Sequence, residues 1–253
     1  MKVVSYNLFE GAGATKSELA EFINGEQPDI VCLQEANGWG DDEQGRNKEF
    51  ASEVDLPFYV YGDSNTRFKL ATFSRTPFVG SEVHKNGFWH SAIKASVQHS
   101  GDTIDVWNVH LDPRSEANRL DEASVLASMV SKAKKAIAVG DFNSLSATDD
   151  YAPDLIEQLR SKGIRKFGEI ALRYDVMDYF VAQGLVDVAQ ALGTNEWTVP
   201  TPANTDAHHA DRLRLDYMLA TQDLASSITS MATVKNKLTD KISDHYPLVV
   251  TIE

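Results

Sequence analysis

The chain predicts an α/β (α+β) fold in which two β-sheets pack face to face and carry helices on their outer sides. Short runs rich in Val, Ile and aromatic residues recur from end to end, and segments with helical apolar spacing lie between them. No long linker or low-complexity stretch interrupts the alternation, so one domain over 1–253 is expected.

In chain order, Val3-Val4-Ser5-Tyr6 opens a strand over 2–7 that ends on Asn7. A helix over 15–24 leads to a strand over 29–35, where Ile30-Val31-Cys32-Leu33-Gln34 ends on Glu35. A helix over 43–54 precedes strands at 57–61 and 68–74, and strands at 92–98 and 103–111 follow. The last of these holds Val106-Trp107-Asn108-Val109-His110-Leu111. The helix over 115–133 has Leu120, Ala123, Leu126 and Val130 on one stripe and Ser115-Glu116 at its start. Ala136-Ile137-Ala138-Val139 forms a strand over 135–141 that runs into Gly140-Asp141-Phe142-Asn143. Helices at 153–161 and 175–183 and strands at 213–220, 227–234 and 246–252 complete the chain. Arg214-Leu215-Asp216-Tyr217 places a carboxylate inside an apolar run, and Ser243-Asp244-His245 stands just before the final strand. There is an internal echo: strand to Asn7, helix, strand to Glu35, and again strand to His110, helix, strand to Asp141. Two related halves would bring these strand ends to one rim.

Composition narrows the class. With 253 residues, 42% of them hydrophobic, the chain is long enough to bury a full core. No stretch approaches a membrane span and the start lacks a signal-peptide hydrophobic region, so a cytoplasmic monomer without a transmembrane segment is expected. Cys32 is the single cysteine, which excludes an intrachain disulfide and points to a buried small hydrophobe. A net charge of -13 opposes nonspecific attraction to polyanions.

The ordered set Ser5-Tyr6-Asn7, Pro28-Asp29-Ile30-Val31-Cys32-Leu33-Gln34-Glu35, Leu70-Ala71-Thr72-Phe73-Ser74-Arg75, Asn108-Val109-His110-Leu111, Gly140-Asp141-Phe142-Asn143, Leu215-Asp216-Tyr217 and Ser243-Asp244-His245 resembles the endonuclease/exonuclease/phosphatase superfamily. Each motif is weak alone, but their order spans nearly the whole chain. The resemblance implies a DNase I-like four-layer α/β/β/α sandwich and a metal-dependent phosphoesterase. Hydrolysis of a phosphate ester needs its charge neutralised, a water oriented opposite the leaving oxygen, and that oxygen stabilised. Oxygen-rich candidates without a cysteine or histidine cluster at zinc spacing favour Mg2+, or Mn2+.

Glu35 is the first choice as a metal ligand, and the resemblance puts Asn7 beside it as a neutral ligand or orienting group. Asp141 and Asn143 would project to one side of an extended segment. The resemblance makes Asp141 the water-activating carboxylate and Asn143 a transition-state contact. It also pairs His245 with Asp216, turns Asp244 toward the metal, and leaves His110 as a phosphate contact or leaving-group donor. Arg114, in Asp112-Pro113-Arg114, is a candidate anion contact or else a surface residue at a helix start. Arg119 stands where related proteins often carry arginine. His84, His90 and His99 match no motif and read as surface or structural.

Substrate choice falls to loops. The segment 36–43 carries Trp39 and three acids, and 198–209 ends in His208-His209, a pair suited to a leaving group or second metal but more ordinarily an exposed turn. Phe88-Trp89 forms an aromatic lip or packs inward. The acidic balance favours a small phosphorylated substrate such as a lipid headgroup, sugar phosphate or nucleotide, with nuclease action on nucleic acid as the alternative. A noncatalytic binding module would be expected to lose Glu35, Asp141, Asp216 or His245, and all are present.

Overall fold

The computed structural model describes residues 1–40, 45–206, 209 and 211–253. Asp41, Asp42 and Glu43 of the acidic loop and His208 lie outside the described residues. In the first part of the chain come β1 (Lys2–Asn7), α1 (Lys16–Glu26), β2 (Ile30–Gln34), α2 (Arg46–Glu53), β3 (Phe58–Gly62), β4 (Leu70–Ser74) and β5 (Gly80–His84). The middle holds β6 (Ala92–His99), β7 (Asp102–His110), α3 (Glu116–Val130), β8 (Ala136–Asp141), α4 (Leu155–Ser161) and α5 (Asp175–Ala182). Then follow β9 (Val186–Asp187), α6 (Val188–Leu192), β10 (Asp216–Ala220), α7 (Gln222–Ala225), β11 (Ile228–Thr233), α8 (Thr239–Ile242) and β12 (Leu248–Ile252).

These strands form two six-stranded sheets, ordered β11-β12-β1-β2-β4-β3 and β5-β6-β7-β8-β10-β9. At the centre of each is one parallel pair, β1 with β2 and β7 with β8, joined by α1 and α3. Every other pairing is antiparallel. The two orders correspond strand for strand, which confirms the internal echo. A parallel crossover must pass through a helix that covers one face of its sheet, so each central pair acquires an outer helical layer.

Burial follows that arrangement. Val3, Ile30 and Cys32 of the first sheet meet Val106, Ile137 and Val139 of the second in a core between the sheets. Tyr6, Leu33 and Phe73 face α1 and α2 on one outer side, and Val109, Ala138 and Leu219 face α3 and α5 on the other. The result is the expected four-layer α/β/β/α sandwich. Cys32 is fully buried as anticipated, and burial pushes its thiol up to about 12.

The sequence reading missed β5 and β9 and overextended β10. Gly80-Ser81-Glu82-Val83-His84 is almost wholly exposed at a sheet edge and so has no apolar alternation to detect. Leu213 and Leu215 are buried apolar residues on either side of a buried Arg214 that pairs with Asp187, yet this segment leaves the ladder and forms only an isolated bridge from Leu213 to Val199. Among the described residues no helix is long and apolar enough to cross a membrane.

Candidate active site

Register brings the predicted residues together. His110 pairs with Asp141 at the end of the parallel β7–β8 ladder, and Asp216 pairs with the same Asp141 at the start of β10. In the other sheet Asn7 pairs with Gln34, which sets Asn7 beside Glu35. Gly140 permits the close β7–β8 approach: its φ is +143°, and a Cβ there would lie 1.9 Å from the Val109 carbonyl oxygen.

Asp141 joins the two halves. Its Oδ2 accepts from Asn7 Nδ2 at 3.1 Å and lies 3.5 Å from His110 Nε2 and 3.8 Å from His245 Nε2. Oδ1 accepts from the Asn143 backbone N–H at 2.8 Å. Asn143 itself is left-handed, φ +52°, so it does not continue an extended segment as the spacing suggested. A side-chain-capped turn, rather than strand alternation, brings Asp141 and Asn143 together. Glu35, just past β2, is left-handed too, at φ +55°. Its Oε2 accepts from the Glu10 N–H at 2.8 Å, and its Oε1 lies 3.5 Å from Asn7 Nδ2.

His245 Nδ1 donates to Asp216 Oδ2 at 2.8 Å, the pairing anticipated. Burial alone would lower this imidazole, but Asp216, Asp244 and Asp141 raise it to about 10. Burial raises Asp216 as well, despite His245, so one proton is held between two buried groups. The three carboxylates around the ring place it on the imidazole. For Asp141, burial is outweighed by His245, His110, His209 and Lys166, and the carboxyl is lowered. His110 is lowered to about 4, mainly by burial, and is therefore a neutral imidazole near pH 7.

A cleft of about 260 Å³ opens over these groups, lined by Glu35, His110, Asp141, Asn143, Lys166 and Asp244, with Phe9, Phe68 and Pro113 among its apolar edges. Burial first, then Asp244 and Asp141, raise Glu35 to about 7 against the pull of the Glu10 N–H and His245. A carboxylate so poorly compensated by protein charge, beside further oxygen donors, fits a hard divalent cation. Asn7, Glu35 and Asp244 are the residues that would hold it. Ligand atoms of His209, Asp244 and His245 also lie within 4.8 Å of one another. His209 Nδ1 is engaged with Asp244 Oδ2 at 3.0 Å, however, and His245 Nδ1 with Asp216, so hydrogen bonding accounts for this cluster.

Several side chains depart from expectation. His209 is not in an exposed turn: it is buried beside Asp244, with its ring edge-on to His245 at 4.9 Å. His90 is fully buried and its ring lies 4.4 Å from that of His110, which makes it structural and adjacent to the site. Arg114 is not among the cleft-lining residues; it forks onto Asp112, with Nη2 to Oδ2 at 2.6 Å, and lies over the Trp89 ring at 3.4 Å. Of the two aromatics in doubt, Phe88 packs into the core and Trp89 remains partly exposed under Arg114. Lys166 was missed altogether. It comes from a loop without apolar periodicity, and no local motif announces it. Asn108 serves the fold: its Nδ2 donates to Leu33 O and Ala71 O, and its Oδ1 accepts from Gln34 Nε2 at 2.8 Å, tying β7 to the opposite sheet.

A four-layer sandwich with acids, amides and histidines converging on one rim defines the class of DNase I-like α/β sandwiches. The model of the Endonuclease/Exonuclease/phosphatase family matches residues 4–245, and the chain belongs to that family. Its members hydrolyse phosphoester bonds and generally depend on a divalent metal, so this chain is a phosphoric ester hydrolase. Solved structures with the same fold include an AP endonuclease from Archaeoglobus fulgidus, 19% identical, TM-score 0.75, covering 100% of this chain and 99% of that one. An endonuclease/exonuclease/phosphatase family protein from Leptotrichia buccalis C-1013-b is 16% identical, TM-score 0.71, with 100% and 99% covered. D. rerio TDP2 complexed with single strand DNA product is 18% identical, TM-score 0.68, with 100% and 98% covered. No curated protein matches the sequence.

Proposed function

We propose that the chain is a Mg2+-dependent phosphoesterase, with Mn2+ as the alternative ion, that cleaves a small phosphorylated substrate by in-line attack of water. The observation that carries this is the meeting, at Asp141 of the second sheet, of His110 from that same sheet with Asn7 and His245 from the first, beside a cleft lined by Asp141 and His110. A bound ion, held by Asn7, Glu35 and Asp244, supplies neutralisation of phosphate charge and stabilisation of the leaving oxygen.

The protein groups divide the remaining work. Asp141, kept anionic by its imidazole and ammonium neighbours, orients the attacking water and accepts its proton. The imidazolium of His245, fixed in tautomer and direction by Asp216, donates to a phosphoryl oxygen. Asn143 adds an amide donor, and neutral His110 offers a further donor from Nε2 toward the same group. The modest cleft and the net charge of -13 support a lipid headgroup, sugar phosphate or nucleotide as substrate.

A second reading, cleavage of short single-stranded nucleic acid, is favoured by the partly exposed Trp89 with Arg114 stacked on it near the His110 strand end, a surface on which a base would stack. The likeness to D. rerio TDP2 with its single strand DNA product supports the same reading.

Purified protein with Mg2+ or Mn2+ should be assayed against bis-p-nitrophenyl phosphate, p-nitrophenyl phosphate, sphingomyelin, nucleotides and single-stranded and duplex DNA. Turnover that EDTA abolishes and that is absent from His245→Ala is the expected result. Undiminished rates in both Asp141→Ala and His245→Ala would overturn the assignment of the site.

A further inference from the structure

Lys166 lies between α4 and α5, yet only 9% of its surface is exposed and its side chain lines the cleft. An ammonium has three N–H donors. One goes to Asn143 Oδ1 at 3.2 Å. Among the described residues no carboxylate oxygen comes within the 4.0 Å of an ion pair with Nζ. Burial lowers Lys166 from its ordinary value to about 8, although Asp141, Asp206 and Asp244 pull the other way from farther off. A buried cation without a paired anion is costly.

Its backbone is held firmly. Arg119, fully buried in α3, donates from Nη2 to the Lys166 carbonyl at 2.6 Å and from Nε to Ser144 Oγ at 2.8 Å, and pairs with Glu116 at 2.8 Å. Just beyond, Gly168 has φ +127°, and a Cβ there would lie 2.0 Å from the Ala171 carbonyl oxygen. The ammonium is thus delivered to the cleft by a braced turn. Its bond to Asn143 Oδ1 also fixes which way that amide faces. Asn143 Nδ2 donates to Leu111 O at 3.2 Å, which leaves its second N–H for a ligand in the cleft.

We infer that Lys166 is a catalytic residue whose ammonium binds a nonbridging oxygen of the scissile phosphate and orients the Asn143 amide toward the same group. This deepens, and rests on, the phosphoesterase reading. The missing anion of the buried lysine is then the substrate phosphate itself, and the product phosphate after a monoester is cleaved.

The test uses Lys166→Met and Lys166→Arg, with inorganic phosphate as the probe. Phosphate is titrated calorimetrically into each protein with Mg2+, and thermal melting and bis-p-nitrophenyl phosphate turnover are measured on the same samples. Lys166→Met is expected to bind phosphate at least roughly 10-fold more weakly and to lose roughly 100-fold in kcat. Its melting temperature should be unchanged or higher, because a buried charge has been removed. Lys166→Arg should recover part of the affinity. If Lys166→Met does not fold, Lys166→Gln takes its place, and wild-type phosphate affinity in Lys166→Gln overturns the inference. Wild-type affinity and kcat in a folded Lys166→Met, or no phosphate binding by the wild type, would also overturn it. Phosphate affinity that depends on Lys166 in a protein with no turnover would instead defeat the phosphoesterase reading and leave the anion site standing.

Discussion

Asp141 accepts from Asn7 and from the Asn143 backbone and faces two imidazoles, so a single atom exchanged there touches every proposed role. Asp141→Asn is expected to lower kcat roughly 1,000-fold, while a thermal melt shows the fold retained. The adjacent pair His90 and His110, whose rings lie 4.4 Å apart, predicts a second effect. Burial holds them at about 2 and about 4, below the ordinary 6.5, so both are neutral when folded. Their contribution to stability is complete above 6.5 and is lost as pH falls from 6.5 through those folded values, by about 1.4 kcal/mol per pH unit for each proton taken up only on unfolding. Chemical denaturation of His90→Asn across this range should show a slope shallower by one proton; a slope equal to wild type would refute the account. Glu35 and Asp141 were legible because each stands at the end of an apolar run, and Asp244 and His245 because they stand just before one, so that a local pattern marks each strand end. Lys166, His90 and His209 were not. Their position in the site comes from tertiary packing of loops and neighbouring strands, for which no local periodicity exists.

At the scale of elements, the parallel ladder of β7 and β8 aligns His110 with Asp141 and depends on the absence of a side chain at residue 140. Gly140→Ala is expected to cost roughly 3 kcal/mol through a backbone clash and a left-handed φ, measured by denaturant unfolding. Asn108 tests the joint between sheets. Asn108→Leu leaves the Leu33 and Ala71 carbonyls and the Gln34 amide without their buried partner, and should cost about 2–4 kcal/mol. Because Gln34 adjoins Glu35, activity should fall along with stability in that variant, and full activity in a destabilised Asn108→Leu would separate the joint from the site. The central strands were readable because they are buried on both faces and consist of continuous apolar runs. Edge strand β5 escaped because its exposed residues face no packing demand.

For the whole molecule, charge sets the terms of encounter. With a net charge of -13, a polyanion such as single-stranded DNA is repelled at long range. Its KM is therefore expected to fall as salt rises from about 50 to about 200 mM, because screening shortens the repulsion, and this is opposite to the behaviour of a basic nuclease. Steady-state kinetics across that range decide it, and a KM that rises with salt would point to a local basic track overriding the global field.

The strand orders of the two sheets carry one more consequence. Strands β11 and β12 stand beside β1 in the way that β5 and β6 stand beside β7. The backbone N–H of Ile252 donates to the carbonyl of Met1 at 2.8 Å, so the first and last strands are already neighbours. Joining these ends by a short linker and reopening the chain between β4 and β5 would yield a tandem duplicate, the second sheet complete before the first begins. The rim that carries the candidate site would then be the seam between two consecutive repeats, an arrangement that neither repeat possesses alone and that their docking creates.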